Sequence, residues 1–304
     1  MKVLHVNENS ILEQQHLALC LGFFDGMHLA HRALMNKTIN EANKRHLQKG
    51  IMTFSTHVLS YLKDEPFFYL SSLEDKMECA RKAGFDYFYV LDVSDGLVSM
   101  EPEEFITRFL KQQELIVVGF DYSFGRYGKG KVDTLLQHKE FRTIVVQEMV
   151  YYHEKIGSTK IRDLIDHGNM EVASVLIGKN YQIKGEVVHG HGRGKGLGFP
   201  TANLANPGYL VPKTGLYIAK TNINGTCYYG LANVGFNPTF VNDGLSIEMY
   251  LFDTTLDLYG RVITIEFLSY LREEMKFDGV DALIKQMKLD EENAKRNLQE
   301  RNFR

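Results

Sequence analysis

The chain of 304 residues has no tryptophan and only six prolines. Its three cysteines, Cys20, Cys79 and Cys227, are odd in number and far apart. They match no metal-ligand spacing and no disulfide framework, so a reducing, cytoplasmic setting is expected. No stretch approaches the ~20 apolar residues of a membrane span, and no membrane partner is expected. Met1-Lys2-Val3-Leu4-His5 lacks the apolar core and cleavage site of a signal peptide. An excess of positive charge is also missing: the formal net charge is −3, which argues against a dedicated nucleic-acid partner. Internal repeats and low-complexity tracts are absent.

What remains is an ordinary globular composition, 44% hydrophobic and 24% charged, in a chain long enough for two domains of ~150 residues. In the first half, short apolar runs alternate with amphipathic stretches. Leu17–Gly22, Ile51–Phe54, Tyr87–Leu91 and Leu115–Gly119 read as strands. Between them, helices are predicted from about Leu29 to Gln48, stopped by Gly50, from Ser71 or Ser72 to Ala83, and from Pro102 to about Gln113. This rhythm predicts a parallel sheet covered by helices, with chemistry in the loops after Gly22, Phe54, Leu91 and Gly119. Near Asn180 the pattern changes to many short strands, with Asn224-Gly225 as a hairpin turn and a terminal helix over Asp281–Leu298. A closed barrel is expected there.

The densest signal is His189-Gly190-His191-Gly192-Arg193-Gly194-Lys195-Gly196-Leu197-Gly198-Phe199-Pro200-Thr201-Ala202-Asn203, with glycine at every second residue from Gly190 to Gly198. Glycine at that density lets a backbone approach phosphates and offer them N–H groups. Thr201 and Asn203 bring neutral oxygens that suit a hard cation such as Mg²⁺. Neither familiar phosphate loop fits: Lys195 is followed by Gly196 rather than Ser or Thr, and no glycine trio has the dinucleotide offsets. On residues alone the stretch is either a nucleotide–metal site or a glycine-rich surface hairpin.

In the first half, Gly22-Phe23-Phe24-Asp25-Gly26-Met27-His28-Leu29-Ala30-His31 joins a strand end to a helix start. Two histidines three apart share a helix face, where free N–H groups favour an anion. Imidazoles there can donate to phosphate oxygens during nucleotidyl transfer; on residues alone the pair is equally a metal pair or two cap-region histidines with no role.

The Pro200-Thr201-Ala202-Asn203 tail resembles the Mg-ATP motif of riboflavin kinases. The Gly22–His31 segment resembles the Gly-x-Phe-Asp-Gly-x-His motif of bacterial FAD synthetases, within the adenylyltransferase superfamily. Val118–Gly125 with Gly128-Lys129-Gly130 resembles that family's second loop, and Gly157-Ser158-Thr159-Lys160-Ile161-Arg162 its Ser-Ser-Thr-x-Ile-Arg signature. Ala232–Phe240, Ile247-Glu248 and Leu258-Tyr259-Gly260 extend the kinase resemblance over about Gly178–Leu298. Two departures stand out: Ala30 replaces the family's second glycine, and Thr53-Phe54-Ser55-Thr56-His57-Val58 replaces Thr-Phe-x-Pro-His-Pro.

The resemblance implies an α/β plus β chain. A Rossmann-like nucleotidyltransferase domain with a parallel sheet spans 1–180, and a riboflavin-kinase-type Greek-key β-barrel with a terminal helix spans 181–304. It implies a bifunctional riboflavin kinase/FAD synthetase, with ATP, riboflavin and FMN as substrates and Mg²⁺ for both steps. Carried over residue by residue, Glu248 is the kinase base, and His28 and His31 serve adenylyl transfer. Thr201 and Asn203 contact Mg²⁺ and ATP, with Gly194, Lys195, Gly196 and Pro200 in the same loop. Asn233 lies in a second segment of that site, and Arg272 is a flap residue near the flavin. Gly22, Phe24, Asp25, His57, Asp121, Ser158, Thr159 and Arg162 bind substrates in the N-terminal domain. A weak homo-oligomer is the most that is expected of self-association. The rivals are a kinase whose N-terminal domain has lost FAD synthesis, and a flavin-binding regulator without turnover.

Overall fold

The computed structural model describes residues 1–13, 16–189, 198–206, 208–236, 245–254 and 256–300. They form two compact units, Met1–Ser158 and Thr159–Arg304.

The first unit is built on a six-stranded parallel sheet. In chain order its elements are β1 (Lys2–Val6), β2 (Leu17–Leu21), α1 (Leu29–Arg45), β3 (Gln48–Phe54), α2 (Val58–Lys63), α3 (Leu73–Lys82) and β4 (Tyr87–Leu91). There follow α4 (Asp95–Ser99), α5 (Pro102–Phe105), β5 (Leu115–Gly119), the short pair β6 (Ser123–Phe124) and β7 (Gly130–Lys131), α6 (Val132–Gln137) and β8 (Arg142–Val146). A two-stranded ribbon, β9 (Val150–Tyr151) and β10 (Glu154–Lys155), closes the unit. The sheet order is β1-β4-β3-β2-β5-β8. β2 lies between β3 and β5, and all five of its residues are buried, as an unbroken apolar run in a central parallel strand should be. One face packs Leu17, Leu19, Leu21, Phe105 and Phe109, and the other packs Ala18, Cys20, Met35, Ala42 and Phe88. The strand order reverses at β2, so the crevice for a ligand opens at the ends of β2 and β5.

Helix ends follow local chemistry. Ser72 caps α3 through a reciprocal capping box with Asp75. α1 stops at Arg45, with His46 left-handed at φ 55°, and not near Gln48. Gly50 is therefore no helix stop; it lies within β3, where a Cβ would come within 2.9 Å of Leu19. The helix predicted from Pro102 starts there: α5 runs to Phe105 and continues without a break as a π-helix over Ile106–Leu110. Strands β1 and β8, at the sheet edges, were not among the predicted strands.

The chain passes into the second unit within α7 (Ser158–Asp166), whose first residue is the last of the first unit, and continues with α8 (Met170–Ile177), which packs on two barrel strands. The barrel strands are β11 (Tyr181–Val188), β12 (Thr201–Leu204), β13 (Gly215–Ile223), β14 (Thr226–Phe236), β15 (Leu245–Leu251) and β16 (Val262–Arg272), followed by α9 (Val280–Glu300). They close in the order β11-β12-β15-β14-β13-β16, all antiparallel. β13, β14 and β15 form a meander and β16 returns beside β13, which is a Greek key. The expected hairpin turn is present, with Asn224 and Gly225 at φ 53° and 85°. Two interior glycines let neighbouring backbones close in: a Cβ on Gly185 would lie 1.9 Å from the Ala205 carbonyl, and one on Gly230 as close to that of Tyr250. Leu216, Ile218, Leu231 and Leu268 face outward and are covered by Ala294 and Leu298 of α9.

Candidate functional site

In the first unit, the turn after β2 delivers the histidine pair. Phe24, Gly26 and Met27 have φ of 57°, 85° and 44°, a strained turn that persists because it is held from several sides. The Phe23 carbonyl accepts from Thr53 Oγ1 at 2.9 Å and from Lys76 Nζ at 2.8 Å. Asp25 Oδ1 accepts from the N–H groups of Leu70 and Ser71 at 2.8 and 3.2 Å, and the Asp25 carbonyl accepts from Ser158 Oγ at 2.9 Å. The ring of buried Phe24 lies over Gly22, where a Cβ would come within 3.0 Å of it.

His28 is the N-cap of α1, its Nδ1 accepting from the His31 N–H at 3.4 Å. The ring proton is then on Nε2. The two imidazoles stack at 3.6 Å and 19°, and the buried Nδ1 of His31 has no hydrogen-bond partner among the described residues. Burial pushes His28 down to about 4, helped by the Lys155 charge and opposed by Asp121. Burial also holds His31 well below its usual value, with His28 and Lys76 adding to the effect. Both rings are therefore neutral donors at neutral pH. Asp121, in the loop after β5, pairs with Lys155 Nζ at 2.5 Å. The ring of His57, after β3, is parallel to Phe67 at 4.2 Å and edge-on to Phe23 at 5.0 Å.

In the second unit, a row of polar side chains crosses three barrel strands. Glu248 of β15 stands opposite Asn203 of β12 and Asn233 of β14. The Thr201 hydroxyl donates to Glu248 Oε2 at 3.3 Å. Asn203 is buried, and its Oδ1 has no partner among the described residues. An orphaned amide oxygen beside a hydroxyl and a carboxylate fits a hard cation. A cavity of about 370 Å³ lies on one side, walled by Phe199, Leu231, Tyr250 and Met287 and reached by Thr201, Asn233, Glu248 and Arg272. A second cavity, of about 280 Å³, includes Pro200, Thr201, Leu258 and Tyr259. Thr201 lines both. Arg272 makes a two-pronged pair with buried Asp290 of α9, at 2.9 and 2.6 Å.

Of the predicted residues, Gly22, Phe24, Asp25, His28, His31 and Ser158 thus gather at one turn. Thr201, Asn233, Glu248 and Arg272 line one cavity, and Asn203 stands opposite Glu248 on the neighbouring strand. Thr159 and Arg162 lie in α7, within the second unit. Gly194, Lys195 and Gly196 lie outside the described residues. Sequence reading missed Lys76, which is buried with its ammonium 4.0 Å from the centre of the Phe23 ring. A lysine four residues after an N-cap serine, on the buried face of a helix, was the available signal. Lys155 and the Phe67–Tyr69 aromatics were missed too, since nothing in their spacing ties them to the histidines.

Two family models match the chain: FAD synthetase over residues 10–160 and riboflavin kinase over residues 177–298. A bifunctional riboflavin kinase/FMN adenylyltransferase of Listeria monocytogenes is 39% identical over 286 residues, covering 91% of each chain. The Bacillus subtilis protein of the same description is 36% identical over 97% of each. A crystal structure described as a macrolide-efflux protein from Streptococcus pneumoniae superposes with a TM-score of 0.87 at 31% identity, covering 96% of this chain and 98% of that one. Among the described residues here, no helix is long and apolar enough to cross a membrane. Two family models laid end to end, and relatives alike along almost their whole length, agree: the chain belongs to the bifunctional riboflavin kinase/FMN adenylyltransferase family.

Proposed function

We propose that this chain makes FAD from riboflavin in two ATP-dependent steps. In the barrel unit, the riboflavin 5′-hydroxyl attacks the γ-phosphorus of ATP, its proton passes to Glu248, and ADP leaves with FMN formed. In the sheet unit, an FMN phosphate oxygen attacks the α-phosphorus of a second ATP, and pyrophosphate leaves as the new P–O bond forms. His28, through Nε2–H, and His31 donate to the phosphate oxygens as negative charge builds. No covalent enzyme intermediate is needed.

The observation that carries the kinase half is the orphaned Asn203 Oδ1 on the strand that also carries Thr201, opposite Glu248, with Thr201 lining both cavities. Thr201 and Asn203 would hold Mg²⁺, which would supply positive charge to the triphosphate when bound. Arg272 is assigned to the flavin side of the cavity, where Asp290 orients its guanidinium. His57 and Asp121 are assigned to FMN and ATP binding, as are Thr159 and Arg162. The functional division is put at residue 180, between a 1–180 adenylyltransferase domain and a 181–304 kinase domain. Action in the cytoplasm, without a nucleic-acid or membrane partner, fits the composition.

Supplying FMN and Mg-ATP directly tests the second half alone. FAD and pyrophosphate should appear in equal amounts; FMN recovered unchanged would leave only the kinase.

A further inference from the structure

We propose that the hydroxyls of Thr56 and Tyr69 position the flavin-binding loop for adenylyl transfer, doing by one hydrogen bond what a proline at residue 56 does by ring closure. The inference rests on the adenylyltransferase reading above. Thr56 Oγ1 lies 2.9 Å from Tyr69 Oη, and both are part-buried. Thr56 directly precedes His57, whose ring lies parallel to Phe67 at 4.2 Å and 2°. Phe67 in turn meets Tyr69 edge-on at 4.9 Å. The loop after β3 and the segment before α3 are thus joined by two ring contacts and one directional bond.

Ring contacts tolerate sliding, whereas a hydroxyl pair fixes which residue faces which. The same segment continues to Leu70 and Ser71, whose N–H groups donate to Asp25 in the turn that delivers His28. A run of contacts therefore joins the residue before His57 to the histidine pair. Thr56 and Tyr69 are positioning residues: they need not touch FMN, and they set where His57 stands relative to His28. Breaking the bond should loosen the FMN end and spare the ATP end.

The test uses full-length protein, with FMN and Mg-ATP as substrates. Tyr69→Phe removes one hydroxyl and should raise KM for FMN about threefold to tenfold. Its kcat for adenylyl transfer, its KM for ATP and its riboflavin kinase rate should stay unchanged. Thr56→Val should produce the same shift, and the double variant no more than either single one. Thr56→Pro combined with Tyr69→Phe should return KM for FMN to the wild-type value, because a proline needs no partner. An unmoved FMN KM in both single variants overturns the proposal, as do additive shifts, a failed proline rescue, or a parallel fall in kinase rate. Wild-type protein that makes no FAD would sink the adenylyltransferase reading itself; wild-type FAD with an unmoved FMN KM in Tyr69→Phe would sink only the positioning role.

Discussion

The Thr201 hydroxyl donates to the Glu248 carboxylate across 3.3 Å, from one barrel strand to the next. Glu248 stands in the cross-strand row that also holds Asn203 and Asn233. The proposed base and the oxygens proposed for the cation therefore fall in one constellation, set by strand register. A one-residue slip of β12 would send Thr201 and Asn203 to the barrel interior.

Glu248→Gln keeps the shape and the acceptor for Thr201 but removes the carboxylate proposed as the base. Riboflavin phosphorylation should fall about 10²- to 10⁴-fold. Riboflavin binding, followed by flavin fluorescence, should persist, and FAD formation from supplied FMN should be unchanged. A regulator without turnover would show no kinase rate to lose.

Acid should affect the sheet unit through its histidines. His28 titrates at about 4 in the folded chain against an ordinary 6.5. The unfolded chain takes up that proton first as pH falls, so the stability His28 contributes is complete above pH 6.5 and is lost on the way down to about 4. Adenylyl transfer, measured as kcat/KM for FMN against pH, should show no limb at 6.5 from these rings and should fail only at lower pH. A limb centred at 6.5 that His28→Asn abolishes would contradict the burial of the pair.

Much of this was legible in the sequence because some residues carry their own geometry. Ser71 or Ser72 marked a helix start, Asn224-Gly225 a hairpin and Leu17–Gly22 a strand, each by local chemistry. The site motifs were legible through family resemblance, since Glu248 by itself is an outward strand carboxylate. What stayed hidden depends on tertiary approach. Gly50 reads locally as a helix stop, yet it is glycine because Leu17 and Leu19 of the next strand press on it. Lys76 and Tyr69 matter only through what packs on Phe23 and Thr56. Arg272 reads locally as an ordinary helix-flank charge until α9 brings Asp290 to it.

Gly185→Ala should disable the barrel unit. The added methyl would meet the Ala205 carbonyl at 1.9 Å, a backbone atom that cannot turn aside. A loss of about 3 kcal/mol or more is expected, read as a lower thermal midpoint together with loss of kinase activity.

Removing Arg272 should cost more than removing the pair. Arg272→Met leaves the Asp290 carboxylate buried with, among the described residues, only the Gln286 amide still donating to it at 2.8 Å. Such a loss is expected to be about 3–5 kcal/mol, seen in denaturant midpoints. The double variant Arg272→Met/Asp290→Leu should recover most of it, while the KM for riboflavin stays raised.

The central claim is that one chain carries both steps. Purified protein incubated with riboflavin and Mg-ATP, with flavins separated by chromatography over time, tests it most directly. The account predicts that FMN rises first and FAD follows at its expense. Riboflavin left unchanged, or FMN that accumulates and never becomes FAD, would contradict it.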